Sequence, residues 1–182
     1  MRAIDVRDLL ETPGSSRTVH VEEPVPGLRT ELADVPEDTP IAASLTLESV
    51  VEGIFVRGSL EGRFAMRCAR CLKTFERDFD VEMTELVPRE PGPDDDYALE
   101  PDLTLDPEPI VRDAVVLEMP FSPLCRPDCL GLCEICGGDR NLGECPGHEV
   151  TDPRWDALDV LLQHLEAQPD QEPSDDDRTT TS

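Results

Sequence analysis

Two kinds of residue are scarce in this 182-residue chain. Aromatics make up 4% of it, and of its 16 basic residues only Lys73 is a lysine. A core must therefore be built from aliphatic side chains; the shortage of lysine carries no functional weight. Long apolar runs are missing too, and nothing approaches the roughly 20 residues that span a bilayer. The segment Met1–Asp8 alternates charge and lacks the apolar stretch of a secretory signal. These absences argue against a membrane partner and point to the cytoplasm, where thiols stay reduced. The seven cysteines then need a reason other than disulfides. Positive charge is also short: 41 acidic residues leave a net −25. Such a charge opposes whole-surface binding to nucleic acid or anionic lipid, whose affinity comes from neutralising phosphates. Only a local basic face escapes that objection.

The chain divides by composition. Residues 1–40 read as an extended N-terminal segment, with apolar islands at Ile4–Leu10 and Val19–Val21 laid against a core. Residues 41–87 carry strand periodicity. Ile54, Val56, Leu60, Phe64 and Met66 fall on even positions; Phe75, Phe79, Val81, Met83 and Val87 fall on odd ones. Leu45 and Leu47 suggest a preceding strand, and Gly58 and Gly62 suggest a bulge or bend. The two runs flank Cys68-Ala69-Arg70-Cys71, so that pair sits at the turn of an antiparallel hairpin. Residues 88–109 hold six of the 18 prolines and a net −7, the mark of a solvated acidic linker.

Asp106, Pro107 and Glu108 then form a helix start, with a capping carboxylate and a proline in the first turn. Ile110, Ala114 and Leu117 give that helix an apolar stripe, and Pro120 stops it. The segment 110–165 combines this helix, a cysteine-rich stretch and a last helix. That last helix opens at Thr151-Asp152-Pro153, with Trp155, Leu158, Leu161, Leu162 and Leu165 on one side. Residues 166–182, net −5, read as a disordered acidic tail. The fold class is α+β: a small antiparallel sheet or partial barrel with short helices and a zinc-stapled C-terminal segment.

The cysteines come in pairs. Cys68 and Cys71 form Cys-x2-Cys, Cys125 and Cys129 form Cys-x3-Cys, and Cys133 and Cys136 form Cys-x2-Cys. Cys145 and His148 complete the set as Cys-x2-His. Eight ligands suit two tetrahedral structural zinc ions, each held by four side chains. One pairing groups Cys133, Cys136, Cys145 and His148 locally, leaving Cys68, Cys71, Cys125 and Cys129 to staple the hairpin to the C-terminal segment. The alternative joins Cys68 and Cys71 to Cys133 and Cys136. One or two ions are expected.

An enzyme is not. Four-ligand cysteine sites are closed, whereas catalytic zinc keeps an open position beside a general base, and no His-Glu-x-x-His exists here. No βαβ pattern surrounds either Cys-x2-Cys, which argues against a thioredoxin-like role. His20 and His164 read as surface residues. No nucleophilic triad, phosphate loop or carboxylate pair stands out, so no catalytic residue and no small-molecule substrate are assigned.

One island breaks the acidic pattern. Residues 57–77 contain Arg57, Arg63, Arg67, Arg70, Lys73 and Arg77 against Glu61 and Glu76, a net +4. Arg57, Arg63 and Arg67 share the solvent face of the first strand. The island suits phosphate or RNA base edges, or simply solvates an exposed sheet face.

Several spaced motifs then resemble one family. Cys68-Ala69-Arg70-Cys71-Leu72 after an alternating strand is similar to the Cys-x-Arg-Cys-Leu signature of the YceD family. Met119-Pro120-Phe121-Ser122-Pro123-Leu124-Cys125, Cys129-Leu130-Gly131-Leu132-Cys133-Glu134-Ile135-Cys136-Gly137 and Asn141, Gly143 and Cys145 continue the likeness, as does Asp152-Pro153-Arg154-Trp155. The resemblance implies a bacterial protein needed for accumulation of 23S ribosomal RNA, whose gene commonly neighbours that of a small large-subunit ribosomal protein. One departure stands out: many relatives end the cluster with Cys-x-Cys, where this chain has Gly147 and then His148. The expected partner is 23S rRNA or its precursor, or a basic large-subunit ribosomal protein engaged by the acidic surface.

Overall fold

The long strand at the centre follows directly from the alternation. In the computed structural model, which describes residues 1–148 with Leu158, Leu161, Leu162 and His164, that strand is Gly53–Arg67. Before it come β1 (Ile4–Asp5), α1 (Arg7–Leu10), β2 (Ser16–Glu23), β3 (Ala33–Asp34) and β4 (Ile41–Ser49). The central strand is β5; β6 (Thr74–Pro88), β7 (Thr104–Leu105) and α2 (Glu108–Glu118) follow. The chain divides into a first unit, Met1–Glu144, and a second, Cys145–Ser182.

In the first unit β5 pairs antiparallel with β6 without a break from Gly53↔Pro88 to Arg67↔Thr74. Its other edge takes β4, from Ile54↔Ser49 to Glu61↔Ala42, and then β3 at Ala65 and Met66. Strand β2 pairs with β4 and ends the sheet, and β1 with β7 makes a separate two-stranded ribbon. This is a mostly antiparallel sheet with two short helices.

One face of the five-stranded sheet is buried. Leu45, Leu47, Ile54, Val56 and Leu60 are each at most 1% exposed, and Val6, Val25, Leu28, Leu105 and Val111 join the same core. Full burial of such side chains stabilises by about 1.5–3 kcal/mol each. The N-terminal 40 residues thus supply core as well as edge, and the acidic stretch 88–109 is anchored at several points. Leu105 of β7 pairs with Ile4, the Val6 N–H donates to the Leu103 carbonyl, Arg89 donates to the Glu52 and Leu10 carbonyls, and Tyr97 and Leu99 pack on the core.

Two local expectations change. Pairing runs straight through Gly58 and Gly62, so neither marks a bulge. The glycines make room instead. A Cβ on Gly62 would lie 2.5 Å from Cζ of Phe79, whose ring stacks on Phe64 with centroids 4.3 Å apart; one on Gly58 would lie 2.2 Å from the Ser44 carbonyl oxygen. At the start of α2 the N-cap position is Pro107, and the Asp106 carboxylate one residue before it accepts the Glu108 N–H at 2.9 Å. The buried stripe, however, is Ile110, Val111 and Val115, while Leu117 is 84% exposed. Leu117 shares the face of Ile110, seven residues earlier, but stands in the last turn of α2, beyond the core that covers Ile110.

In the second unit, Leu158, Leu161, Leu162 and His164 are helical and exposed. The helix start at Thr151-Asp152-Pro153, Trp155, Leu165 and the tail 166–182 lie outside the described residues.

Candidate metal centre and basic residues

The loop Cys68–Lys73 joining β5 to β6 is a tight turn tied by two backbone bonds. The Cys68 N–H donates to the Lys73 carbonyl and the Leu72 N–H to the Cys68 carbonyl, each at 2.9 Å. Cys133–Gly138 repeats the pattern: the Cys133 N–H donates to Gly138 at 2.9 Å and the Gly137 N–H to Cys133 at 2.8 Å. Both turns place the residue after the second cysteine in the left-handed region, Leu72 at φ 60° and Gly137 at φ 72°. Glycine adopts that conformation freely; a leucine does so at a cost. Two Cys-x2-Cys segments 65 positions apart therefore fold into one geometry, with both thiols of each turn aimed the same way.

Three contacts bring a second cysteine pair to the first turn. The Ala69 N–H donates to the Pro123 carbonyl at 2.8 Å, the Leu132 N–H to the Arg70 carbonyl at 2.9 Å, and Arg70 Nη1 to the Cys129 carbonyl at 2.8 Å. Cys125 and Cys129 consequently meet Cys68 and Cys71. The sulfurs of Cys68 and Cys129 are 3.8 Å apart, those of Cys71 and Cys125 3.7 Å, and all four lie within 4.8 Å of one another. An ion held by four thiolates at about 2.3 Å needs sulfurs about 3.8 Å apart. The donor set fits a tetrahedral ion of zinc's size and softness. Of the two pairings open from spacing, the first unit forms the one that staples the hairpin. Cys133 and Cys136 also belong to this unit, whereas Cys145 and His148 belong to the second.

The electrostatics agree with a cation site. Burial opposes ionisation of Cys68, but the backbone N–H groups of Cys125, Cys71 and Arg70 outweigh it and hold the thiol down at about 6. Burial, and then the crowding of Cys71, Cys129 and Cys68, push the Cys125 thiol up to about 12. Four thiols this close cannot all ionise unless positive charge lies among them.

The six basic residues do not share a face. Arg63 stands across from Asp78 and donates to it at 2.7 Å, with Glu76 at 3.5 Å. Arg77 stands across from Phe64, on the core side of the hairpin, and its Nη2 reaches the Leu124 carbonyl at 3.4 Å. Arg57 and Arg67 lie on the outer face with Arg63, and so do Glu61, Glu76, Asp78, Asp80 and Glu82. Lys73 leaves the strands and pairs with the buried carboxylate of Asp139 at 2.8 Å. That ion pair, and then Asn141, hold the Asp139 carboxyl down at about 2. Asp139 carries no signal in the sequence, where it is a polar position in a glycine-rich loop, and Asn141 enters only through the family likeness, with no role attached.

Residues 56–162 match the family model described as large ribosomal RNA subunit accumulation protein YceD. An uncharacterized protein of Mycobacterium tuberculosis is 36% identical over 168 residues, covering 87% of this chain and 80% of its own length. One from Mycobacterium bovis gives the same figures. A Mycobacterium leprae protein, also uncharacterized, is 30% identical over 167 residues, covering 87% of this chain and 76% of its own. No solved structure matches the chain.

Proposed function

The chain belongs to the YceD family of large ribosomal RNA subunit accumulation proteins, and on that premise we propose that it is a non-enzymatic, cytoplasmic factor in large ribosomal subunit biogenesis. It supports the synthesis, processing or accumulation of 23S rRNA. The observation that carries this reading, beyond the family match, is the four-thiol cluster of Cys68, Cys71, Cys125 and Cys129. A set of four protein ligands leaves no open position for a substrate and serves to fix the 123–132 segment on the hairpin. Zinc is the proposed ion. A second ion on Cys133, Cys136, Cys145 and His148 is proposed from their spacing and from the knuckle turn that Cys133 and Cys136 share with the first pair.

The contact with RNA is proposed to use Arg57, Arg63, Arg67, Arg70, Lys73 and Arg77, weighted toward Arg67 and Arg70, whose hydrogen bonds among the described residues go to carbonyl oxygens rather than to carboxylates. A second reading has a specific observation behind it. Five carboxylates crowd the outer face of the hairpin, which suits a basic large-subunit ribosomal protein better than a phosphate backbone. The test is depletion in a host that carries the gene, with 23S rRNA measured against 16S rRNA. Loss of 23S that wild type restores and a C68S/C71S variant does not supports the proposal; unchanged 23S overturns it. Crosslinking the tagged chain in cells then separates an RNA partner from a protein one.

A further inference from the structure

We infer that Asn141, locked in place by Asp139 and Lys73, is a positioning residue for the four-thiolate site, through a hydrogen bond from its side-chain amide to the sulfur of Cys129. The inference rests on the metal reading above and names a residue that this reading does not require.

The carboxamide of Asn141 uses its full bonding capacity. Its Oδ1 accepts the Leu130 N–H at 2.9 Å and the Arg126 guanidinium at 2.6 Å. Its Nδ2 donates to Asp139 Oδ1 at 2.8 Å and to Cys129 Sγ at 3.6 Å. The orientation of the amide follows from these partners. Turned over, Oδ1 would face a carboxylate and a sulfur while Nδ2 faced two donors. Asp139 is 5% exposed; its Oδ1 also accepts the Asn141 backbone N–H at 2.9 Å, and its Oδ2 faces Lys73 at 2.8 Å. Lys73 is itself the last residue of the Cys68–Lys73 turn. The chain of contacts therefore leaves the first cysteine pair at Lys73 and returns to the site at Cys129.

The need for such a donor is local. Cys68 draws backbone N–H groups from Cys125, Cys71 and Arg70, and Cys71 draws one from Lys73. Cys129 closes a Cys-x3-Cys segment rather than a knuckle turn, and a side chain twelve positions on supplies its N–H. Four thiolates on a divalent cation carry a net −2, so each N–H aimed at sulfur relieves ligand repulsion and fixes a rotamer. Partners of this kind are commonly worth 10–100-fold in metal affinity.

The test uses the full chain loaded with Zn2+ or Co2+, with N141A, N141D and R126A variants. Zinc affinity is read by competition with a chromophoric chelator, and the cobalt–thiolate charge-transfer band reports electron density on sulfur. N141A is expected to bind zinc about 10–100-fold more weakly and to move the band to lower energy, because an unbonded thiolate is more electron-rich. R126A, which removes another partner of Asn141 but none of the sulfur's, is expected to leave the band in place. A merely structural role for Asn141 would not move it selectively. If N141A fails to fold by circular dichroism, N141D decides, since it keeps the acceptor and lacks the donor. Wild-type affinity and band in the folded variants would overturn the inference; a wild-type chain that takes up no metal overturns the metal reading instead.

Discussion

Arg63 and Arg77 project from opposite faces of one hairpin. Arg63 sits across from Asp78 and Arg77 across from Phe64, because the pairing matches odd positions of β5 with even positions of β6. Arg63 spends its charge on Asp78 and Glu76, while among the described residues Arg67 and Arg70 bond to carbonyl oxygens.

Charge reversal should therefore act unevenly. The R67E/R70E double variant is expected to weaken binding to 23S rRNA fragments and to reduce the salt slope by about 2, whereas R63E changes both little. Salt titrations of affinity check this. Unchanged affinity in the double variant would shift the case to a basic protein partner on the acidic face.

Removing one thiolate should remove one ion. C68S is expected to lower zinc by one per chain, measured by elemental analysis of protein purified without chelator. The staple between hairpin and 123–132 segment then loosens; a loss of about 3 kcal/mol would lower Tm by roughly 10 °C. Equal zinc in C68S and wild type would reject the site.

The two knuckles supply an internal control for backbone strain. Leu72 occupies at φ 60° the position that Gly137 occupies at φ 72°. L72G is expected to stabilise by about 1 kcal/mol, since Leu72 is 54% exposed and gives up little packing. Chemical denaturation of the zinc-loaded chain measures it.

At Gly62 the sign is opposite. A methyl group there meets the Phe79 ring at 2.5 Å, so G62A should destabilise by about 1–3 kcal/mol. A double-mutant cycle with F79L should recover part of the loss, because the clash belongs to the pair.

The pH dependence of one pair can be signed. The Met1 amine donates to Glu108 Oε2 at 2.7 Å. The hydrogen bond to that amine, and then to Arg112, lowers the Glu108 carboxyl from its ordinary 4.5, while Glu108 raises the amine from its ordinary 8.0. A lowered acid stabilises above its unfolded value and loses that effect as pH falls through the native one. A raised base stabilises below its unfolded value and loses the effect as pH rises through the native one. The stability difference between wild type and E108Q, with Met1 unblocked, should thus be largest between pH 4.5 and 8.0 and shrink on both sides. A flat difference across pH 3 to 10, followed by denaturation with urea, would contradict the pairing.

Much of the architecture was legible residue by residue. Ile54 to Met66 and Phe75 to Val87 declare two half-buried strands, because a period of two is a property of the extended backbone itself. The cysteine spacings declare ligand pairs for the same reason: two thiols of one tight turn must point together. Asp106 and Pro107 mark a helix start through local bonding alone. What failed was whatever depended on a distant neighbour. Gly62 looks like a bend until Phe79, 17 positions on, lies over it. Leu117 looks buried until it is seen to stand in the last turn of α2, past the core that covers Ile110.

The scarcity of aromatics and positive charge, the strand and helix segments and the eight candidate metal ligands belong to the sequence by itself, since each follows from composition or from spacing within one turn. Two matters belonged to the tertiary structure: which pair meets Cys68 and Cys71, and that Asn141 reaches Cys129. The first depends on hydrogen bonds between segments some 50 residues apart, such as Ala69 to Pro123, and the second on the fold of a loop twelve positions on, and no local period encodes either.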